Sequence, residues 1–264
     1  MYLLCFFSIL IQSMATDDSY FKVFETYRNR INFKEVFTAT LSNMCKDVKL
    51  DSVRSCLAIG PAGGENEIEF IKHCAANVNK LLAIEPCHDA AEHLKTSLRT
   101  SLPGVETQVL ETGIPNWDGL NDPVDLILMF HVLYFLPADE RQAFFKKMHD
   151  RWLTPGGYVA IVSASRTKSP GNTHMIFERL CKPSPPWEDV EADLQKVGFS
   201  KHYAHEMRLK RDFANLDESV LGFYKKNGSL PDVTLDYVRS IIEELYPEGK
   251  ADEFNMIAVF KRTI

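Results

Sequence analysis

The sequence lacks the features that mark several large functional classes. No dense lysine and arginine run occurs in its 264 residues, and 36 acidic against 30 basic residues give a formal net charge of −6. Nucleic-acid binders normally show a basic face, so no nucleic-acid partner is expected. A mild acidic excess serves solubility and suits a small, cationic substrate. No apolar run is long enough to span a bilayer as a helix. The six cysteines, Cys5, Cys45, Cys56, Cys74, Cys87 and Cys181, form no CxxC pair. Cys56 and Cys74 fall inside strand and helix patterns, where cysteine acts as a small hydrophobe. All six are read as reduced thiols in a reducing, cytoplasmic compartment. The pairs His88/His93 and His202/His205 have no thiol or carboxylate cluster beside them, so no metal is expected. Ser163 and Ser165 lack the Gly-x-Ser-x-Gly elbow of a serine hydrolase.

What is present is an ordinary globular mixture, 45% hydrophobic and 25% charged. A chain of this length buries roughly three quarters of its unfolded surface and needs no disulfide staple. Residues 1–15 are set apart. The stretch "MYLLCFFSILIQSMA" has the length of a signal-peptide core with small residues after it, which would make the protein secreted, yet no lysine or arginine precedes the run. A packed N-terminal extension and a misassigned start are the alternatives.

Residues 16–264 read as one domain, expected to be a monomer, in three parts. N-terminal helices cover 16–49. From residue 50 to 163 strands and helices alternate: strands over Arg54–Ile59, Lys80–Glu85, Val105–Leu110 and Val124–Phe130, helices over Asn66–Val78, His88–Ser101 and Ala138–Leu153. A Pro155-Gly156-Gly157 turn then leads into the strand "YVAIVSAS". This alternation predicts an α/β fold with a mainly parallel sheet covered on both faces. The near-continuous apolar strands agree, because central parallel strands are buried twice. Residues 164–264 depart from the rhythm. An irregular, Pro/Ser-containing segment over 164–184 reads as a substrate lid, followed by a helix over Trp187–Val197, the strand "FSKHYAHE", helical pattern over 216–247, and a last strand "FNMIAVFKR".

The stretch "LAIGPAGGENE", Leu57 to Glu67, carries the chemistry. Gly60, Gly63 and Gly64 permit positive φ and close approach by a ligand. They lie between a strand and a helix, where free N–H groups face whatever is bound. A tight turn that binds nothing is the plain alternative. The dinucleotide fingerprint G-x-G-x-x-G is not met, since Ala62 stands at the middle position with Pro61 before it. Glu65 and Glu67 would also repel a pyrophosphate, and suit a ligand with a cationic or amine group. Glu85, ending strand 2 beside Pro86, can take both hydroxyls of a ribose, or be a solvated strand-end carboxylate.

Taken in order, "LAIGPAGGENE", "AIEP", "VDLILMFHVLYFL" and "LTPGGYVAIVSAS" resemble the landmarks of class I S-adenosylmethionine-dependent methyltransferases over about residues 50–205. The resemblance implies a Rossmann-like, seven-stranded sheet whose last strand is antiparallel, and S-adenosyl-L-methionine as cofactor. Within that class the chain is most similar to the histamine N-methyltransferases. "SYFKVFETYRNR" resembles their N-terminal helix, placing Tyr20 and Phe24 among substrate-facing aromatics. "MFHVLYF" aligns Tyr134 with an active-site tyrosine, and "EGKADEFNMIAVF" aligns Asn255 with the asparagine that contacts the substrate amine. Cofactor contacts implied by the resemblance fall on Gly60, Glu85 and Phe130, with Ala62, Gly63, Gly64 and Pro86 around them. Departures stand beside these matches. His131 replaces an active-site glutamine, Ala90 a cofactor-contacting glutamine, and Gly113 a cofactor-side serine. Phe33 occupies the position of an active-site glutamate, with Glu35 nearby, and two pocket tryptophans have no equivalent.

The expected activity is methyl transfer to the nitrogen of a small amine, histamine-like or another imidazole-bearing or biogenic amine. Asn255 would orient the amine, and His131 would accept its proton or serve as a polar group at a strand end. Tyr20, Phe24 and Tyr134 would attract a cation through their ring faces, although Phe24 also fits simple helix packing. Two other readings stand: an NAD(P)-dependent oxidoreductase on a similar sheet, and a methyltransferase-like protein that binds without catalysis.

Overall fold

A computed structural model describes residues 18–263 apart from 118, 137, 166–171, 182–184, 215 and 229–231. The N-terminal stretch 1–15, and with it Cys5, lies outside the described residues. Helices α1 (Asp18–Arg28) and α2 (Phe33–Asp47) come first. The alternating core follows: β1 (Ser55–Ile59), α3 (Glu65–Cys74), β2 (Lys80–Ile84), α4 (His88–Ser101), β3 (Glu106–Leu110), β4 (Val124–Phe130), α5 (Ala138–Lys147) and β5 (Leu153–Ala164). The chain then forms α6 (His174–Arg179), α7 (Trp187–Lys196), β6 (Phe199–Asp212), α8 (Glu218–Asn227), α9 (Leu235–Leu245) and β7 (Lys250–Arg262).

The strands form one seven-stranded sheet in the order β3-β2-β1-β4-β5-β7-β6. The pairs among β1 to β5 are parallel, and β7 runs antiparallel to both β5 and β6. The period-2 alternation of β1 feeds two cores: Cys56 and Ala58 pack on one face, Leu57 and Ile59 on the other. Each fully buried aliphatic side chain contributes about 1.5–3 kcal/mol, so the central strands β1 and β4 anchor both layers. A third cluster, including Tyr27, Ile176, Tyr224 and Ile242, joins α1 to α6, α8 and α9 beyond the end of the sheet. The order reverses between β1 and β4, since β1 leads outward to β2 and β3 while β4 starts the other half. In open α/β sheets ligands bind at the carboxyl ends of the strands flanking such a reversal. Here those ends are Ile59-Gly60 and Phe130-His131.

Four local expectations change. Residues Pro155-Gly156-Gly157 lie within β5: Leu153 pairs with Val124 and Tyr158 with Leu126, so the segment bulges inside one strand. Gly156, at φ +78°, takes the bend. The helix expected to reach Leu153 ends at Lys147 and widens into a π-helical turn over Met148–Trp152. The expected irregular lid contains α6 within its described part. Finally, Cys45 and Cys74 are joined in a disulfide, with Cα atoms 5.3 Å apart. That separation is within disulfide reach, and it arises because the C-terminal ends of α2 and α3 pack together. The reduced state expected for all six thiols therefore fails for this pair, and with it the cysteine argument for a reducing compartment. Cys56 and Cys87 are buried, and Cys181 is exposed, outside that disulfide. Among the described residues no helix is long and apolar enough to cross a membrane.

Candidate functional site

Two clefts open at the carboxyl ends of β1 and β4, and they share Phe24, Arg28, Asn66, His131 and Tyr134 in their walls. They hold about 760 and 890 Å³, counting the solvent at their open mouths.

The first cleft is built on the turn after β1. Gly60 (φ +59°), Ala62 (φ +49°) and Gly64 (φ +82°) all have left-handed backbone. For Ala62 that conformation costs roughly 1–2 kcal/mol, and a buried acceptor offsets it. The Ala62 N–H donates to Glu85 Oε2 at 2.9 Å, while the Cys87 N–H donates to Glu85 Oε1 at 3.0 Å. Glu85 thus clamps the turn to the end of β2. It is only 5% exposed. Burial pushes its carboxyl up to about 7, against the two backbone donors. Glu67, on the first turn of α3, is buried in the same wall, and burial pushes it up to about 8. Glu65 faces outward and pairs with Arg28 at 2.9 Å and His93 at 3.3 Å.

Of the expected cofactor residues, Gly60, Ala62, Glu85, Pro86 and Phe130 line this cleft. Gly63 and Gly64 do not. A Cβ on Gly64 would lie 2.2 Å from Leu94 Cδ1, and one on Gly63 would lie 2.7 Å from Glu65 Oε1. These two glycines admit α4 against α3, and serve packing. Gly113 is likewise outside the lining, because it caps the short 3₁₀ turn Ile114–Asn116.

The second cleft ends on β7, where the period of two turns Glu253 and Asn255 to the same side. Arg211 donates to Glu253 Oε2 through Nη2 at 2.9 Å and Nε at 3.2 Å. Its guanidinium lies 3.8 Å from the Tyr27 ring centre, and the Tyr27 hydroxyl donates to the same carboxylate oxygen at 3.1 Å. Burial works against ionisation of Glu253, but Arg211 outweighs it and holds the carboxyl below the usual range. The Asn255 amide Nδ2 donates to Glu253 Oε1 at 3.1 Å, and Asn255 Oδ1 is a buried acceptor with no hydrogen-bond partner. Phe24, Tyr27, Phe177 and Phe223 form the aromatic wall, with Tyr27 stacked on Phe223 at 3.6 Å.

His131 stands where the clefts meet. Its φ of +59° turns the chain out of β4, and its N–H donates to Val162 O at 2.7 Å. The ring meets Phe33 edge-on at 5.4 Å, and burial pushes its pKa down to about 4. The ring is therefore neutral and only a weak base, which counts against its expected role as proton acceptor. Tyr134 and Phe24, expected to face the substrate, line both clefts. Tyr20 belongs to α1, but its side chain lies outside the described residues. Glu35 is exposed on α2 and lines neither cleft; the helix turns Phe33 and Phe37 inward instead. The acid of the second cleft is Glu253. The sequence reading missed it together with Arg28 and Arg211, while Glu67 had been noted as a carboxylate suited to a cationic ligand group. The alternation Glu253-x-Asn255 was the available signal for Glu253; nothing in "LKRDF" distinguishes a buried arginine.

No family model and no curated protein sequence matches the chain. Solved structures do. The cyclopropane synthase MmaA2 from Mycobacterium tuberculosis is 16% identical, with a TM-score of 0.54 over 84% of this chain and 83% of that one. The N-methyltransferase NodS from Bradyrhizobium japonicum is also 16% identical, at a TM-score of 0.54 over 88% and 99% of the two chains. A geranyl diphosphate methyltransferase solved in complex with SAM is 12% identical, at a TM-score of 0.52 over 86% and 85%. At such identities the likeness is one of fold: the chain has the Rossmann-like class I methyltransferase fold, as its strand order and antiparallel β7 already indicate.

Proposed function

We propose that the chain is an S-adenosylmethionine-dependent methyltransferase whose acceptor is the nitrogen of a small amine, histamine-like or another biogenic amine. The observation that carries the amine is the unpartnered Asn255 Oδ1, buried at the end of an aromatic cleft beside Glu253. A buried acceptor without a donor costs about 1–3 kcal/mol, and an amine N–H is the complement that would remove that cost. The aromatic wall attracts a cation as it approaches.

The first cleft fits the cofactor. Gly60 leaves room that a side chain would take, because a Cβ there would sit 2.9 Å from Val132 Cγ1 across the cleft wall. Glu85 keeps lone pairs for ribose hydroxyls after its two backbone bonds. When bound, the cofactor supplies an electrophilic methyl on a sulfonium. This chain's part is positioning, a contribution that reaches roughly 7–11 kcal/mol in well-oriented reactions. Asn255 and Glu253 hold the amine, and the shared wall of Phe24, His131 and Tyr134 brings the two clefts together. A dinucleotide fits less well, since Glu67, on the first turn of α3, would lie where its pyrophosphate approaches the helix N-terminus.

Calorimetry with S-adenosylhomocysteine and with NADH tests the cofactor; binding of NADH alone refutes the proposal. A screen of amines following S-adenosylhomocysteine formation tests the acceptor and separates this reading from a protein that binds without catalysis. Asn255→Ala should lower kcat/KM by roughly 1–3 kcal/mol with cofactor affinity nearly unchanged. Loss of cofactor affinity with substrate handling spared would refute the placement of the amine.

A further inference from the structure

Among the described residues two carboxylates line the first cleft, Glu85 and Glu67. Glu85 is committed to the turn through the Ala62 and Cys87 N–H groups. Glu67 has no such duty: it is 3% exposed, and the donor that lowers its pKa is its own backbone N–H. The charged groups facing it come from three directions: Glu65 on its own helix, Arg28 from α1 and Glu85 from the end of β2; the Cys56 thiol of β1 also lies within electrostatic reach. Arg28 is the sole cation among them, and it is already engaged by Glu65 at 2.9 Å and Glu25 at 3.3 Å. A buried acid turned toward a ligand cleft, without a cation of its own, is an expensive arrangement that an apolar residue would avoid.

Resting on the cofactor reading above, we propose that Glu67 recognises the positive charge of the cofactor. Two cationic groups qualify, the sulfonium and the α-ammonium. Either one beside Glu67 favours the carboxylate over the acid. In the free protein burial pushes Glu67 up to about 8, so at pH 7 it is mostly protonated, and cofactor binding expels that proton to solvent. Affinity then rises with pH up to about 8, by at most tenfold per unit. Glu85, raised to about 7, adds a slope of its own at lower pH, so the effect of Glu67 is read between pH 7 and 8.

The experiment is calorimetric titration of the whole chain with S-adenosylmethionine and S-adenosylhomocysteine, in buffers of different ionisation enthalpy, for wild type and Glu67→Gln. Glutamine resembles the protonated acid, so the variant should fold, and a melting curve at pH 7 verifies it. Release of up to one proton on S-adenosylmethionine binding is expected, lost in Glu67→Gln together with at least tenfold of affinity at pH 8. S-adenosylhomocysteine keeps the ammonium but lacks the sulfonium. Loss confined to S-adenosylmethionine assigns the sulfonium; equal loss for both assigns the ammonium. Unchanged proton release and affinity for both ligands in Glu67→Gln overturn the proposal while leaving the cofactor reading intact. Failure of the wild type to bind either ligand overturns both.

Discussion

Replacing Glu85 by glutamine separates two roles that the same carboxylate combines. Burial raises its pKa from the ordinary 4.5 to about 7. The folded state then holds the proton more tightly than the unfolded chain does. Stability therefore falls as pH rises from about 4.5 through 7, and levels off above. The full difference of about 2.5 pK units corresponds to about 3 kcal/mol. Glutamine escapes that cost, but its amide nitrogen cannot accept, so one of the two N–H groups of Ala62 and Cys87 loses its partner at roughly 1–3 kcal/mol. Glu85→Gln should accordingly be less stable than wild type by about 1 kcal/mol at pH 4.5, and more stable by about 2 kcal/mol at pH 8. The relative swing of about 3 kcal/mol should move the Tm difference by roughly 6–12 °C between the two pH values. Thermal melts in matched buffers measure it. In parallel, S-adenosylmethionine affinity at pH 8 should fall by about 1.5–3 kcal/mol, the worth of hydrogen bonds to a charged acceptor. A Tm difference that is the same at both pH values would show that the buried carboxylate is not strained by its charge. Unchanged affinity in the folded variant would reduce Glu85 to a clamp on the turn.

Other substitutions separate packing from binding. Gly64→Ala should destabilise by about 1–3 kcal/mol, since its Cβ would sit 2.2 Å from Leu94 Cδ1, while sparing cofactor affinity; Gly60→Val should abolish cofactor binding in a protein that still melts cooperatively. The reverse pattern in paired melting and calorimetry would exchange their roles. Arg211→Met strands Glu253 without its cation and should cost about 3–5 kcal/mol, much of it recovered in the double variant with Glu253→Gln; additive losses in denaturant melts would show that the two residues act separately. Because His131 titrates near 4, His131→Gln should leave the pH profile of kcat/KM above pH 6 unchanged; loss of an ionisation in that window would restore His131 as the base.

Strand and helix periods carry far in this chain. His88–Ser101 and Val124–Phe130 match their expected limits, because each is bounded by strong local signals and buried by its own pattern. The turn after β1 and Glu85 were both singled out from glycine content and spacing, and the fold brings them to the wall of one cleft. What local pattern could not show were pairings made across the sheet. Gly63 and Gly64 look like ligand glycines, yet their space is taken by α4 and its neighbours, which follow a whole βαβ unit later. Cys45 and Cys74 are 29 residues apart, and only the packing of α2 on α3 brings them together. Arg211 reads as one more surface charge on an edge strand, but the register of β6 against β7 and the ring of Tyr27 bury it.

The same cross-sheet register decides what kind of base the second cleft can offer. A methyl acceptor must present a neutral nitrogen, while a free alkyl amine has a pKa of about 10. Glu35 is exposed on α2 and lines neither cleft. Glu253 is different: Arg211 holds it ionised and below the usual range, so it attracts an ammonium but is a poor destination for its proton. His131, pushed down to about 4, is no better. On the proposed reading the described walls would orient an amine without supplying a base matched to it. In this arrangement discrimination rests on hydrogen-bond geometry at Asn255 Oδ1, which rewards an N–H donor and rejects an isosteric methyl. A cleft so made should distinguish amines from ethers and hydrocarbons more sharply than it distinguishes one small aromatic amine from another.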